Sequence, residues 1–274
     1  STQSRSSAAS DVYKRQNYDT LSIRVDGPFA HITLNRPEVK NAMNAQMVLD
    51  LMAAFAALRD DRSVRAVVLS GAGGTFCAGG DIKEMAAALQ GDQTSQNPIV
   101  LDALLRAVNQ APQVVIARVE GAAMGGGFGL VCVSDIAIAS ADAKMGLPEV
   151  RLGLAPALIS PYVVQRLGLT RARELVLTGR RFSGDDALRY GLVHEVCAPE
   201  ALTARINALL EEIRQCAPNA LAACKRLLFQ VSDQAPEATL EYRAALLAEL
   251  RQSAEGQEGM IAFVQKRPPQ WAQS

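Results

Sequence analysis

The chain has 274 residues, of which 49% are hydrophobic and 20% are charged, and its formal net charge is zero. This length accommodates one large domain, or one domain with an appended subdomain, and either can bury a sizeable core. Balanced charge argues against a nucleic-acid-binding protein, which usually carries a clear basic excess, although a few local cations suffice for an anionic small molecule. No apolar run approaches the roughly 20 residues that span a bilayer, so a membrane protein is not expected.

The cysteines and histidines show no pattern of a metal site or a disulfide framework. The five cysteines lack CxxC and zinc-type spacing, so we expect them to be packing residues of a reduced, cytoplasmic protein. Two histidines, His31 and His194, are too few for a His-rich metal site, and we expect both to be structural or exposed.

The first third of the chain begins with a segment that we expect to lie outside the fold. Residues 1–16 are Ser-rich and without an apolar period, which predicts a disordered leader or a cloning remnant. Alternating apolar residues then predict a hairpin with strands around 21–25 and 32–34. Asn41 is the predicted N-cap of an amphipathic helix, and a buried strand is expected over Val64 to Leu69.

The middle of the chain alternates predicted helices and strands. Helices are expected over 81–89 and 101–108, on either side of a polar linker over 91–97, and a buried strand over Val114 to Val119. A short apolar helix after a triple glycine is followed by a strand around Ile136 to Ala139. Such alternation is typical of an α/β domain.

Beyond about Arg171 the predicted strands largely disappear and helices dominate. Helices are expected near 171–178, 184–190, 199–215, 218–230, 236–253 and 256–266. This helical tail must bury its apolar faces, either over the first domain or in a subunit interface, and the sequence does not choose between the two.

Three segments of the sequence are candidates for chemistry, and the first runs from Phe76 to Met85 (FCAGGDIKEM). Its small residues allow the backbone to approach a ligand closely, and the predicted helix that starts at Asp81 points unpaired N–H groups at the same place. Such a helix start suits an anion or a developing oxyanion. A tight strand-to-helix turn, with glycine at a positive φ, explains the same residues equally well.

The second candidate segment, from Gly121 to Leu130 (GAAMGGGFGL), also follows a buried strand and opens a helix. It lacks the GKS/T ending of a P-loop and the spacing of a dinucleotide-binding fingerprint. Close helix packing through glycine explains it when it is taken alone. Two such junctions in one chain, however, favour helix N-termini that converge on one point, where they would form an oxyanion hole.

The third candidate segment, from Met145 to Gly153 (MGLPEVRLG), contains Glu149 directly after a proline. A glutamate fixed among apolar and glycine neighbours is a candidate general base with a pKa raised by burial. A glutamate in a loop is more often a solvated surface charge, so the segment alone does not establish catalysis.

These three segments, in this order and spacing, resemble the enoyl-CoA hydratase/isomerase (crotonase) superfamily. The resemblance extends from Leu34-Asn35-Arg36-Pro37 to the stretch that ends at Lys266-Arg267. It implies a crotonase-like α/β fold: a spiral of ββα units over 17–200 and a C-terminal helical region over 201–274 for trimerisation or for covering coenzyme A. It also implies an acyl-CoA thioester as partner, self-assembly as a homotrimer or a dimer of trimers, and no metal, flavin or nicotinamide. No separate cofactor is expected, because coenzyme A enters as part of the substrate.

The resemblance also implies a role for individual residues by their position in the motifs. The N–H groups of Gly80 and Gly126 would form the oxyanion hole, and Glu149 would transfer the proton. The implied substrate- and CoA-binding residues are Lys40, Ala78, Gly80, Asp81, Ile82, Gly126, Phe263 and Lys266. Within that set, Ala78 and Ile82 would line the adenine pocket. Phe263 and Lys266 would contact coenzyme A, either of the same subunit or of a neighbour.

The sequence departs from the family pattern at Gly129. Typical hydratases of the family carry one glutamate in the helix after the triple glycine and another in the later Pro-Glu segment. The second is present as Glu149, but Gly129 occupies the position of the first and cannot transfer a proton. A distal carboxylate on the substrate would supply the missing group or fill the space at Gly129, with Arg151 as the nearest cation in sequence.

Three functions follow from this departure. The first is a hydratase for a branched glutaconyl-type ester such as isohexenylglutaconyl-CoA, as expected in terpene or leucine catabolism. The second is a Δ3,Δ2-enoyl-CoA isomerase with Glu149 as its lone proton shuttle, and the third is a non-catalytic acyl-CoA-binding protein. We favour the hydratase because the local resemblance extends over both flanks of Gly129.

The acyl pocket is expected near Glu149. The stretch Pro156 to Ser160 replaces a glycine-rich stretch of simple hydratases, which indicates a pocket of different shape. The candidate lining residues are Leu147, Leu154, Ala157, Leu158 and Tyr162.

Overall fold

The structure is a computed structural model that describes residues 18–89 and 98–273. The predicted leader (1–16) and the predicted polar linker (91–97) lie outside the described residues. Among the described residues, no helix is both long enough and apolar enough to cross a membrane.

The described residues contain the strands β1 (Leu21–Asp26), β2 (Phe29–Leu34), β3 (Ala66–Gly71), β4 (Val114–Val119), β5 (Ala122–Met124), β6 (Ile136–Ser140), β7 (Lys144–Gly146), β8 (Arg181–Ser183) and β9 (Glu195–Cys197). Six of them form the main sheet, in the order β1-β2-β3-β4-β6-β9, and three form a smaller sheet, in the order β5-β7-β8. The predicted hairpin is confirmed, because β1 and β2 pair antiparallel around Gly27. The other pairings in the main sheet are parallel.

Ten α-helices connect and cover these strands in the described part of the chain. They are α1 (Ala45–Leu58), α2 (Ile82–Leu89), α3 (Pro98–Asn109), α4 (Gly126–Val133), α5 (Ser160–Thr178), α6 (Gly184–Arg189), α7 (Leu202–Arg214), α8 (Pro218–Val231), α9 (Leu240–Gln252) and α10 (Ala254–Val264). The α/β class and the C-terminal helical region are therefore confirmed.

From β4 to β7, successive segments of the chain add strands alternately to the main sheet and to the smaller sheet. Cys77 forms a parallel bridge to Ala123 in β5, so the first glycine-rich segment extends the smaller sheet. β3, Cys77 and α2 make one ββα unit, and β4, β5 and α4 and then β6, β7 and α5 make the next two. This is the expected spiral of ββα units. It sets the glycine-rich turns of successive units side by side.

The main sheet is buried on both of its faces. One face packs against α1 and α3, and the other packs against α7 through residues such as Val68, Ile116 and Leu210. Burial on both faces explains why β3 begins with the apolar run Ala66–Leu69 and why β4 is apolar except at the half-buried Arg118. The predicted C-terminal region thus contributes α7 to the cover of the sheet.

The predicted cap of α1 is wrong by three residues. The N-cap is Asn44, whose side chain accepts a hydrogen bond from the N–H of Met47 at 2.9 Å. Asn41 instead has a φ of 54° and donates through its amide to the carbonyl oxygens of Ala72 and Thr75, at 2.9 and 2.6 Å. Asn41 therefore links the loop before α1 to the loop after β3 through hydrogen bonds, and Asn44, three residues later, caps the helix.

Helix α5 begins earlier than the sequence predicts. It starts at Ser160, with Pro161 in its first turn, and the helical geometry is interrupted at Gly168, which has a φ of 71°. The predicted helix near 171–178 is the part after this interruption. Because the helical geometry breaks at Gly168, the apolar residues before and after this glycine do not follow one continuous helical period.

Candidate active site

The two glycine-rich segments lie side by side. The Cys77 N–H donates to the Ala122 carbonyl at 2.8 Å, and the Met124 N–H donates to the Cys77 carbonyl at 3.0 Å. Next to this pairing, a Cβ on Gly79 would lie 3.3 Å from the Met124 carbonyl oxygen. The two strand-to-helix junctions therefore approach each other with backbone against backbone, as the expected convergence requires.

The N–H of Gly80 is directed away from its neighbouring strand. Met43 pairs with Gly80 in a parallel bridge, in which Met43 donates to Gly79 at 2.7 Å and accepts from Asp81 at 2.9 Å. Because these bonds use the groups flanking Gly80, its own N–H faces the opposite side. Within residues 18–89 and 98–273, no hydrogen bond is donated by this N–H.

Gly126 offers a second N–H close by. It is the first residue of α4, whose N-cap, Gly125, has a φ of 49° and a ψ of −116°, a conformation that needs glycine. The Gly126 N–H belongs to the first helical turn and is also unbonded among the described residues. Met43 lies next to both glycines, because it pairs with Gly80 and its sulfur would lie 3.3 Å from a Cβ on Gly126.

Glu149 brings a carboxylate to this place. It lies in the 3-10 turn Pro148–Leu152, and its Oε1 atom would lie 3.0 Å from a Cβ on Gly125. Its Oε2 atom is buried and has no hydrogen-bond partner in the described part of the chain. Burial raises the pKa of Glu149, and a hydrogen bond from its own backbone N–H offsets part of this rise. Glu149 thus has one buried carboxylate oxygen without a hydrogen-bond partner among the described residues, beside two glycines whose N–H groups are unbonded, and such a carboxyl group can take and return a proton.

The space beside Gly129 is not empty. A Cβ on Gly129 would lie 2.5 Å from Cγ2 and 3.1 Å from Cβ of Ile159. The hypothesis that a substrate carboxylate fills this space is therefore wrong, because the Ile159 side chain occupies it. This contact is not predictable from the sequence, because the two residues lie in different elements.

Four of the predicted CoA-binding residues lie together next to Gly80. The Ala78 N–H donates to the Lys40 carbonyl at 3.0 Å, and Ile82 is 73% exposed at the start of α2. Asp81 is 8% exposed, and its carboxylate accepts from the Arg36 guanidinium at 3.0 Å. Burial alone would raise the pKa of Asp81, but hydrogen bonds from Arg36 and two backbone N–H groups lower it. The Asp81 side chain thus fixes the loop that carries Lys40.

Phe263 and Lys266 lie elsewhere in the chain. Phe263 is 86% exposed on α10, and Lys266 follows that helix with a φ of 54°. In the part of the chain that the structure describes, no hydrogen bond or ion pair joins either residue to the glycine-rich segments. The role of these two residues in binding coenzyme A therefore stays a prediction.

Arg151 contacts the end of α5. Its guanidinium donates to the Thr178 carbonyl at 3.4 Å, and its side chain would contact a Cβ on Gly179. Its pairing with a distal substrate carboxylate stays a prediction from its place in the sequence. Of the candidate lining residues, Leu147 is buried, Leu158 and Tyr162 are half-buried, and Leu154 and Ala157 are exposed.

Known proteins resemble this chain over nearly its whole length. A family model described as enoyl-CoA hydratase/isomerase matches residues 25–274. The structure of AtuE from Pseudomonas aeruginosa is 51% identical, with a TM-score of 0.89 over 93% of this chain and 100% of that chain. An enoyl-CoA hydratase/isomerase from Marinobacter aquaeolei is 46% identical, with a TM-score of 0.88 over 93% and 99% of the two chains.

A curated relative carries the name of a hydratase with a defined substrate. The (E)-benzylidenesuccinyl-CoA hydratase of Thauera aromatica is 33% identical over 258 residues, which cover 91% of this chain and 97% of that protein. The family model and the two structures agree with the spiral of ββα units. The chain belongs to the enoyl-CoA hydratase/isomerase family, the crotonase superfamily.

Proposed function

We propose that this enzyme adds water to a branched, glutaconyl-type enoyl-CoA, such as isohexenylglutaconyl-CoA, with Glu149 as its single acid–base group. Membership of the family gives enoyl-CoA hydratase-type activity, and the proposal concerns the substrate and the residue roles. The observation that carries it is the half-buried Glu149 carboxyl group against Gly125, whose Oε2 atom has no hydrogen-bond partner among the described residues, with an apolar contact where a second acid would stand.

The proposed reaction starts at the thioester carbonyl. Its oxygen accepts hydrogen bonds from the N–H groups of Gly80 and Gly126, which makes the β-carbon electrophilic. Glu149 takes a proton from water while the water oxygen forms a bond to the β-carbon, and the electrons of the double bond move into a thioester enolate. The same carboxyl group then returns the proton to the α-carbon. Each N–H donor is expected to lower the barrier by about 2.7–4 kcal/mol.

The choice of a branched substrate with a second acid group rests on two supports. The described structure leaves Gly129 no room for a second protein acid, which separates this chain from simple hydratases, and the local sequence around Gly129 and Glu149 resembles that of hydratases of branched glutaconyl-CoA esters. The relative from Thauera aromatica is named for hydration of a benzylidene-substituted succinyl thioester, which is both branched and derived from a diacid.

Assembly and location are part of the same proposal. Helices α8 to α10 expose several apolar side chains: Leu228, Phe229, Leu247, Ile261, Phe263 and Val264. We propose that they meet in a homotrimer or a dimer of trimers, where Phe263 and Lys266 can reach the coenzyme A of a neighbouring subunit. The free thiols of all five cysteines support a reducing, cytoplasmic location. Light scattering coupled to gel filtration tests the assembly, and a monomer at micromolar concentration would contradict it.

The test of the proposed function is a parallel assay on crotonyl-CoA, a 3-enoyl-CoA and 3-methylglutaconyl-CoA, with the products identified by mass. The proposal predicts a gain of one water by the glutaconyl ester and poor turnover of crotonyl-CoA. Rapid hydration of crotonyl-CoA would contradict the substrate class. Conversion of the 3-enoyl ester to the 2-enoyl ester without a mass change would indicate an isomerase, and binding without turnover would indicate an acyl-CoA-binding protein.

A further inference from the structure

The contact between Gly129 and Ile159 is tighter than ordinary packing. Ile159 is 3% exposed, and its Cγ2 and Cβ atoms would lie 2.5 and 3.1 Å from a Cβ at position 129, closer than van der Waals contact. A change of rotamer moves the Cγ2 atom, but the Cβ atom moves only with the backbone of residue 159. A side chain at position 129 therefore requires both a new rotamer of Ile159 and a backbone shift of a few tenths of an ångström at the start of α5.

This contact lies on the same helix face as the candidate site. The Gly129 N–H donates to the Gly125 carbonyl at 3.0 Å, so the two residues stand one helical turn apart, a rise of about 5.4 Å. Residues three and four apart share one face of a helix. The Glu149 carboxylate therefore lies against one end of this face, at Gly125, and Ile159 lies against the other, at Gly129.

We propose that Ile159 is a specificity-determining residue of the acyl site. It excludes any side chain at position 129 and presents hydrocarbon to the acyl group one helical turn from Glu149. The Ile159 side chain consequently contacts the hydrocarbon part of the branched acyl group, and a carboxylate on the substrate lies elsewhere in the site. This inference rests on the proposed function for its substrate, but the coupling between residues 129 and 159 does not.

Two departures of the sequence from the pattern of simple hydratases meet in the structure. Glycine at position 129 and the replaced stretch from Pro156 to Ser160 are both departures from the pattern of simple hydratases. In the structure they touch each other through Ile159. The two departures are therefore complementary: the missing side chain at Gly129 in α4 leaves the space that the Ile159 side chain fills at the start of α5.

A double-mutant cycle tests this coupling. Gly129→Glu is expected to lower Tm by about 5 °C or more, because a buried clash with Ile159 is introduced. Ile159 is the N-cap of α5, where glycine is compatible with the helix start, but it is buried, so Ile159→Gly is itself expected to lower Tm. The double variant Gly129→Glu with Ile159→Gly is expected to lose clearly less Tm than the sum of the two single losses, because the clash is absent when residue 159 is glycine. Additive changes in Tm would overturn the proposal.

A matched control separates the contact from a general loosening of α5. Val163 lies one turn further along α5, is fully buried and donates its N–H to the Ile159 carbonyl at 3.0 Å. Val163→Ala removes core volume from the same helix but not from the contact with Gly129. It is therefore expected not to rescue Gly129→Glu, and equal rescue by Val163→Ala would overturn the role of Ile159.

Activity assays distinguish a specificity role from a purely structural one. Ile159→Gly is expected to change the ratio of kcat/KM for 3-methylglutaconyl-CoA over crotonyl-CoA by about ten-fold or more, since a lost apolar contact changes discrimination by that order. An unchanged ratio, with coupled Tm values, would overturn the specificity role. Failure of the wild-type enzyme to hydrate the glutaconyl ester would refute the proposed function instead, and the Tm cycle would still report on the contact.

Discussion

The Glu149 carboxylate lies directly against the backbone of Gly125, with its Oε1 atom 3.0 Å from where a Cβ of residue 125 would stand. Gly125 is also the N-cap of α4 and has backbone angles that only glycine adopts readily. One residue thus sets the start of the helix that offers the Gly126 N–H and makes room for the candidate base. This arrangement leads to four predictions about substitutions and pH.

Gly125→Ala is expected to damage both the position of Glu149 and the start of α4. The added methyl group meets the carboxylate, and the positive φ becomes strained, so we expect kcat/KM to fall about 100-fold and stability to fall by about 1–3 kcal/mol. Steady-state kinetics and urea unfolding measure the two effects. The matched control is Gly191→Ala, where φ is 76° but no atom lies within 4 Å of the new Cβ. An equal loss of kcat/KM in the control would show that backbone strain alone explains the result.

Gly126→Pro tests the oxyanion hole by removing one backbone N–H. Proline is tolerated at the first position of a helix, so we expect only a small change in stability. The loss of one donor is expected to lower kcat by about 10²–10³-fold. Gly126→Ala is the matched variant, because it adds a side chain near the flexible Met43 sulfur but keeps the N–H. The assignment fails if the alanine and proline variants lose activity equally.

The pH dependence of hydration is expected to report the buried Glu149. Burial raises its pKa above the ordinary value of 4.5, so the base form that accepts a proton is lost as pH falls through this raised pKa. The acidic limb of the kcat/KM profile should therefore have its midpoint above 4.5. A midpoint at or below this value would contradict burial of the carboxyl group.

The same raised pKa has a consequence for stability. A carboxyl group whose folded pKa exceeds its unfolded pKa stabilises the fold below the unfolded pKa, and this contribution is lost as pH rises through the folded pKa. Glu149→Gln removes that loss. Urea unfolding between about pH 4 and pH 8 is therefore expected to show the variant gaining stability relative to the wild type as pH rises. A variant that becomes relatively less stable over this range would contradict the direction of the shift.

The ion pair between Lys225 and Asp135 is expected to hold α8 to the main sheet. Lys225 Nζ lies 2.7 Å from Asp135 Oδ2, which also accepts from the Val115 N–H at 2.7 Å, and the side chains are 11% and 26% exposed. Lys225→Met leaves the Asp135 charge without its cation and is expected to lower the free energy of unfolding by about 2–4 kcal/mol. Adding Asp135→Asn should restore part of this loss in chemical unfolding. Equal unfolding of Lys225→Met and the wild type would contradict the role of the pair.

The parts of the fold that depend on local pattern were predictable from the sequence. Most residues of β3 and β4 are apolar because both faces of these strands are largely buried, and the glycine-rich turns follow strands whose ends meet at one edge. The cap of α1 was not predictable to the residue, because Asn41 and Asn44 are both suitable caps by type. The deciding fact is that Asn41 is already bonded to the loop after β3.

The parts of the candidate site that depend on packing between distant residues were not predictable. Nothing in the sequence puts Ile159 against Gly129, since their contact depends on where α5 lies relative to α4. Similarly, nothing in the sequence puts Arg151 against the Thr178 carbonyl, since this contact depends on where the 3-10 turn lies relative to α5. Nearness along the chain does not determine contacts at a site built from several loops.

The most direct test of a Glu149-dependent hydratase compares the wild type with Glu149→Gln on 3-methylglutaconyl-CoA in deuterated water. The account predicts that the wild-type product gains one water, with solvent deuterium at the α-carbon. It further predicts that Glu149→Gln lowers kcat by about 10²–10⁴-fold while CoA-ester binding is retained. A Glu149→Gln enzyme with full activity would contradict the account, as would a wild-type product of unchanged composition.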